Sequence, residues 1–248
     1  MSNKYWDNLD HLILVACHAV YVADNFDAPL SDSSWFLQEF QKGEPPFYVE
    51  HIRRGLELAD NDRKSLLVFS GGQTRYEAGP KSEAQSYWMI ADHFKWWFRT
   101  NVKLRATTEE FARDSFENVL FGICRFKECV GKYPNQISVV SWAFKKERFE
   151  LHRKAIRFPE SKFVFEGVNN PVDLDGAIKG EKKNGIGPFS KDPYGVVDPL
   201  ATKRKERNPF NRQHGYVQAC PDLSELLTYN GTDIYEGNLP WHEYGSGV

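Results

Sequence analysis

The stretch SLLVFSGGQTRYEAGPKSEAQSYWMIA, Ser65 to Ala91, decides how the rest of the chain is read. Ser65 to Phe69 is a short apolar run of the kind found in strands buried on both faces. It runs straight into Ser70-Gly71-Gly72. A polar loop follows, and Ser82 then opens a helix. Ser82 and Gln85 form a capping-box pair, and Tyr87, Ile90, Ala91, Phe94 and Phe98 carry the apolar face onward. Strand, glycine turn and helix make one β–α unit.

The same alternation recurs on both sides. Leu12 to Val22 (LILVACHAVYV) reads as a first buried strand, and Val49 to Ala59 as the helix that joins it to Ser65. Val102 to Ala106 reads as a third, short strand. Phe116, Val119, Leu120, Ile123, Phe126 and Val130 mark the next helix. Its start falls at Thr107 or Asp114, because Thr107/Glu110 and Asp114/Glu117 both fit the capping pattern. Ile137 to Val140 is a fourth strand, Lys145 to Ile156 a charged helix, and Lys162 to Glu166 a fifth strand. Strands alternating with helices predict an α/β fold, a Rossmann-like three-layer α/β/α sandwich with a mainly parallel sheet.

From about Pro171 the pattern stops, which divides the chain into a core, 1–170, and an extension, 171–248. Gly, Pro and charged residues dominate Gly176 to His214. Yet Phe189, Tyr194, Phe210, Tyr216, Tyr229, Tyr235, Trp241 and Tyr244 punctuate the extension. Disordered segments are poor in aromatics, so an irregular wrap packed on the core is expected. The run Lys203-Arg204-Lys205-Glu206-Arg207 reads as a solvated basic loop.

Composition narrows the function classes. The 248 residues carry 32 Lys+Arg against 34 Asp+Glu, a net charge of -2, which argues against a dedicated nucleic-acid binder. No basic segment followed by an apolar run opens the chain. Its longest apolar run, Leu12 to Cys17, is too short to cross a bilayer. A cytoplasmic protein without membrane contact is expected, so the sequon Asn230-Gly231-Thr232 should stay unmodified. Cys17, Cys124, Cys129 and Cys220 read as separate thiols. No His pair or Cys-His cluster has metal-ligand spacing, so no metal site is expected.

Open parallel sheets bind ligands outside the carboxyl ends of their strands, which directs attention to the residues after each strand. Those are Cys17-His18-Ala19, if the first strand ends early, then Ser70-Gly71-Gly72-Gln73-Thr74-Arg75, then Ser141. Gly71 and Gly72 would let backbone N–H groups approach a ligand, and Arg75 would pair with a phosphate or carboxylate. The loop matches neither the Walker A nor the GxGxxG pattern. Glu83 opens the helix beyond it. Ser115 and Asn118 lie three residues apart at a helix start, on one face. Lys145, Arg148 and His152 share a face of a later helix, two of them in its first turn, where cations oppose the helix dipole. An anion there would explain them.

The ordered set now resembles a known family. A buried strand is followed by Ser70-Gly71-Gly72, Ser82-Glu83-Ala84, Ala112-x-x-Ser115-x-x-Asn118 and Val140-Ser141-x-x-x-Lys145-x-x-Arg148. This order is similar to the YdcF/SanA/ElyC-like family, the domain of unknown function numbered 218, over roughly Leu12 to Glu166. The resemblance implies a Rossmann-like fold with a polar pocket at the strand ends. That pocket would be formed by Gly71, Gly72, Glu83, Ser115, Asn118, Ser141 and Arg148. It also implies S-adenosylmethionine or another nucleotide as a candidate ligand, with no certain cofactor. The chain departs from the family by Cys17-His18-Ala19 where glycines are common and by Lys145 in place of a common His, and it is expected to lack the membrane anchor of the bacterial envelope members.

Three functions are expected to compete. One is a metal-independent hydrolase or transferase acting on a phosphorylated or nucleotide-like small molecule. In it Glu83 or His18 would move the proton, with Gly71, Gly72, Arg75, Lys145 and Arg148 on the anion and Ser115, Asn118 and Ser141 orienting it. Another is a non-catalytic nucleotide-binding module. The last is an interaction protein or homo-oligomer that uses the aromatic tail, with a vestigial pocket.

Overall fold

The computed structural model describes residues 5–242; Tyr244, one of the tail aromatics, lies outside the described residues. Five strands form one parallel sheet: β1 (His11–Ala16), β4 (Ser65–Ser70), β5 (Ala106–Glu109), β6 (Gln136–Ser141) and β7 (Phe163–Gly167), in the order β5-β4-β1-β6-β7. β2 (Val20–Tyr21) and β3 (Trp35–Phe36) form a separate antiparallel ribbon. The fold is α/β and Rossmann-like, with helices on both faces.

The layers follow from side-chain alternation along the buried strands. Ile13 and Val15 of β1 face a cluster with α1 (Pro45–Asn61) and α2 (Glu83–His93); a short helix, α3 (Thr100–Lys103), leads into β5. Leu12, Leu14 and Ala16 face the opposite cluster, with α4 (Ser115–Val130) and α5 (Lys146–Ala155). Glycine sets how closely both layers approach β1. A Cβ on Gly55 of α1 would lie 2.5 Å from Val15 Cγ2, and one on Gly122 of α4 would lie 2.7 Å from Leu14 Cδ1.

The extension adds α6 (Leu174–Glu181), α7 (Gly187–Phe189), α8 (Leu200–Glu206), α9 (Tyr216–Ala219) and α10 (Ser224–Leu227). Tyr194, Tyr216, Leu223, Tyr235 and Trp241 are buried in the same cluster as α4 and α5. Their polar ends are satisfied by the core: Tyr194 Oη donates to Ala155 O (2.8 Å) and Trp241 Nε1 to Ile156 O (2.9 Å).

Several local expectations need correction. The run Leu12 to Val22 is not one strand: the sheet strand stops at Ala16, and Val20–Tyr21 pairs with Trp35–Phe36 instead. The three-residue break, Cys17 to Ala19, leaves His18 at the sheet's end. Val102 belongs to α3, so the third strand begins only at Ala106. α2 stops at His93, because Lys95 to Phe98 all take positive φ; Phe98 is 93% exposed rather than on the apolar face. α4 starts at Ser115 with Asp114 as its cap, accepting from Glu117 N at 2.9 Å, so Thr107 caps nothing and lies in β5. The basic run from Lys203 is not a solvated loop but most of α8, and its Arg204 is buried against Asp114.

Candidate functional site

β1 lies between β4 and β6, where strand order reverses, and the residues after these three strands converge there. The Ser-Gly-Gly turn is held by the protein itself. Gly71 N–H donates to Glu109 O (3.0 Å) and Gly72 N–H to Ala112 O (2.8 Å). A Cβ at Gly71 would lie 2.7 Å from Glu83 Oε2, and one at Gly72 would lie 2.7 Å from Ala112 O. The two glycines therefore admit neighbouring chain, and their N–H groups are not the free donors expected of them. Asn118 is similarly spent: its Nδ2 donates to Ser70 O and Ser70 Oγ, both at 2.9 Å.

Glu83 sits at the first turn of α2, half-buried, with Thr74 Oγ1 donating to its Oε1 at 2.6 Å. Burial holds its carboxyl above the usual carboxylate range, against the pull of Thr74 and of the cations Arg207, Arg75 and Lys145. His18 lies among His51, Tyr48 and Trp142, with ring centroids 5.3, 5.8 and 6.0 Å away, and its Nε2 is buried without a partner. Burial, then Lys145, His51 and Arg148, keep its imidazole neutral.

After β6, Ser141 Oγ is fully buried and unpartnered. The Lys145 ammonium makes no hydrogen bond or ion pair among the described residues and lies 5.6 Å from the Phe144 ring centroid; burial with Arg148 nearby pushes it down to about 7. Arg148 is ion-paired to Glu181 of α6 and lies 3.5 Å from Ser115 Oγ, while its Nε is buried without a partner. Ser115 Oγ is also 2.8 Å from His152 Nε2, so α4 and α5 are joined through one hydroxyl. His152 is pushed down to about 3 by burial and by Arg148. The structure thus brings together Glu83, His18, Lys145, Arg148, Arg75 and Ser115, while Ser141 ends β6 with its hydroxyl buried.

Four participants are not evident from the sequence reading. Glu109, at the end of β5, accepts from Ser70 Oγ (2.7 Å), Phe111 N (2.7 Å) and Tyr216 Oη (3.2 Å), and burial raises its carboxyl to about 7. Placing the strand at Val102 hid it. His51 is buried in α1 with Nε2 2.9 Å from Asn169 Oδ1. Lys203 and Arg207 come from the tail; their spacing of four was the available signal that they share one side of a helix. Arg207 donates to Arg113 O at 3.0 Å, and its charge acts on Glu83, Arg75 and Arg148.

A second constellation, Ser138–His11–Asp62, has distances of 2.9 and 2.7 Å in the order of a catalytic triad. It lies at the opposite end of the sheet, and Ser138 is 4% exposed in mid-strand, so it reads as a satisfied core network. Two open concavities, one lined by Arg113, Gly195, Arg204 and Lys205 and one by Glu50, Arg54 and Glu57, also lie outside the strand-end cluster. Among the described residues, no group of three or more His, Cys, Asp or Glu could hold a metal ion, and no helix is long and apolar enough to cross a membrane.

No family model matches the chain. No solved structure matches it either. Over 270 aligned positions it is 31% identical to the Saccharomyces cerevisiae protein YOR238W, described as uncharacterized, covering 86% of this chain and 88% of the yeast protein. The chain belongs to the family of that yeast protein. With 86% of its length aligned, the part left outside is shorter than the extension, 171–248, so the family shares tail as well as core.

Chemically, the strand ends offer two cations whose side chains make no ion pair among the described residues, a neutral imidazole, a carboxyl raised above its usual range and an amine lowered to about 7. Such a set can bind an anion and move a proton.

Proposed function

We propose that the protein is a hydrolase or transferase acting on a phosphorylated or nucleotide-like small molecule at the carboxyl ends of β1, β4 and β6. One observation carries the reading: the side chains of Lys145, which lies close to Arg148, and of Arg75, which acts on Glu83, make no hydrogen bond or ion pair among the described residues, and an anion is a partner both can take. In this reading Lys145, Arg148 and Arg75 hold the anion. His18, neutral and with Nε2 free, accepts a proton, and Glu83 donates one. Ser115 and Ser141 orient the bound group. The ordered motifs that resemble the YdcF/SanA/ElyC-like family point to the same strand ends, with Gly71, Gly72 and Asn118 shaping the turn rather than binding the ligand. The four free thiols support a cytoplasmic setting.

The test is a turnover screen of phosphate esters and nucleotides. Wild type should turn over at least one class, and Glu83→Gln should lose roughly 100-fold or more. No turnover by wild type across the panel overturns the enzymatic reading. A non-catalytic nucleotide or S-adenosylmethionine module is the second reading. It is favoured by the way Thr74 ties up Glu83, and by His51 and His152 sitting near 3, too low to exchange protons at neutral pH. Thermal shifts on the same panel, with binding but no turnover, select it.

A further inference from the structure

α6 lies across the end of β6, packed against the Ala143–Lys145 turn that leads from this strand into α5. Its hold on the core is not apolar. Leu174, Ala177 and Ile178 are only half-buried, and Glu181 is the one buried residue of the helix. A glutamate is almost never buried unless it is paired. Glu181 is ion-paired to Arg148, with side-chain exposures of 5% and 15%.

The pair is incompletely satisfied. Glu181 Oε1 and Arg148 Nε are both buried without hydrogen-bond partners. Arg148 reaches one other acceptor among the described residues, Ser115 Oγ, at 3.5 Å. A π-helical turn, Lys182–Ile186, follows Glu181 at once. Its Gly185 closes over the pair, where a Cβ would lie 3.0 Å from Glu181 Oε1 and 3.2 Å from Arg148 Cζ. Such wide turns are rare and are frequent at functional sites. The neighbouring carboxylates are engaged elsewhere. Asp114 is paired with Arg204, Glu44 accepts from Tyr48 Oη at 2.6 Å, and Glu83 accepts from Thr74 Oγ1 at 2.6 Å. Glu44 and Asp114 act on Lys145 and Lys203 at longer range, and Glu181 acts on both as well. Glu181 is thus the carboxylate in direct contact with Arg148, which the phosphate reading assigns to the ligand. Breaking a buried ion pair is costly unless another charge replaces the lost partner. An anion that enters beside Arg148 replaces it.

We propose that Glu181 is a built-in competitor for the anion: in the free protein its carboxylate occupies the Arg148 side of the site and latches α6 over the strand ends, and an incoming phosphoryl group takes its place and releases α6. The proposal rests on the phosphate reading above and adds regulation to it. A helix held by one buried side chain can open locally while the core stays folded. A latch closed in about nine molecules of ten lowers the apparent affinity for the anion about tenfold.

The experiment is isothermal titration of the full chain with orthophosphate at pH 7 and low salt, paired with hydrogen exchange of the backbone amides of residues 174–189. Glu181→Gln keeps the shape and an acceptor for Arg148 but removes the charge, and it should bind orthophosphate at least tenfold more tightly than wild type. Asp175→Asn, which removes a charge from the exposed side of the same helix, should leave the affinity within twofold. In wild type, saturating orthophosphate should speed exchange in α6 at least fivefold. Binding by Glu181→Gln where wild type binds none also supports the latch. If wild type binds orthophosphate and Glu181→Gln binds no more tightly, if Asp175→Asn gains as much, or if orthophosphate slows exchange in α6, the latch falls and the phosphate reading stands. Should Glu181→Gln fail to fold, exchange in wild type decides alone, and a rate that orthophosphate leaves unchanged overturns the latch. If neither wild type nor Glu181→Gln binds orthophosphate at millimolar concentration, the latch and the phosphate reading both fall.

Discussion

Lys145 illustrates how one residue changes meaning with its surroundings. In the sequence it is one cation in a charged stretch, LysLysGluArg at 145–148; in the structure it stands unpaired at the end of β6 with its ammonium near 7. The sign of the consequence follows from linkage. The unfolded chain binds this proton with the ordinary lysine affinity, near 10.4, and the folded chain only below about 7. Stability from this group is therefore fully present above the unfolded value and is lost as pH falls toward 7. Lys145→Met should stabilise the protein by about 1–2 kcal/mol at pH 6 and by much less at pH 10, after discounting for partial exposure. Urea unfolding at both pH values checks this; an equal effect at both would mean that Lys145 is not held against its charge. Glu83, Ser115 and Arg148 could be nominated from the sequence because each follows a strand or opens a helix. Glu109 could not, since its role depends on a strand boundary three or four residues beyond the apolar signal.

At the scale of elements, α8 is where the charge pattern misleads. A basic run with few apolar residues shows no amphipathic face; α8 docks through Leu200, buried in the core cluster, and through Arg204, whose side chain is 13% exposed and pairs with Asp114, 7% exposed. Arg204 holds the Asp114 carboxyl below the usual range against the push of burial, and Asp114 also caps α4. Arg204→Met should cost about 3–5 kcal/mol, because it strands a buried carboxylate. Asp114→Asn added to it should recover part of the loss, since asparagine still caps and carries no charge. Denaturant midpoints of the single and double variants decide the matter: a single-variant cost below about 1 kcal/mol would show that this pair does not hold α8. α2 and α4 were legible from apolar periodicity and side-chain caps, while α1 was legible from periodicity alone and begins at Pro45, four residues before Val49, without a side-chain cap. The end of α2 was not legible, because Phe94 and Phe98 continue the apolar spacing while the backbone from Lys95 to Phe98 has already turned left-handed.

At the scale of the molecule, core and extension share one apolar cluster. Tyr194, Tyr216, Tyr235 and Trp241 are buried against the α4–α5 layer, so these four tail aromatics are packed within the chain. Removing residues from Pro171 onward should therefore expose Phe116, Phe121 and Phe158, at about 1.5–3 kcal/mol per large apolar side chain uncovered. The shortened chain should bind a hydrophobic dye and melt without a cooperative transition; a soluble fragment with a sharp melt would show that the tail is dispensable to the core. The sequence by itself determined the α/β layering, because strand and helix periodicity are local and each buried strand carries its own apolar run. It also determined that small and charged residues follow the strands. Only the tertiary structure decided which of those residues are free to act. Hydrogen-bond partners come from distant parts of the chain, so Ala112 and Glu109 occupy the glycine N–H groups, Ser70 occupies Asn118, and a helix some 60 residues downstream of Lys145 brings in Lys203 and Arg207. A charge pattern reports how many cations a chain has; only packing determines which of them are left without a counter-charge.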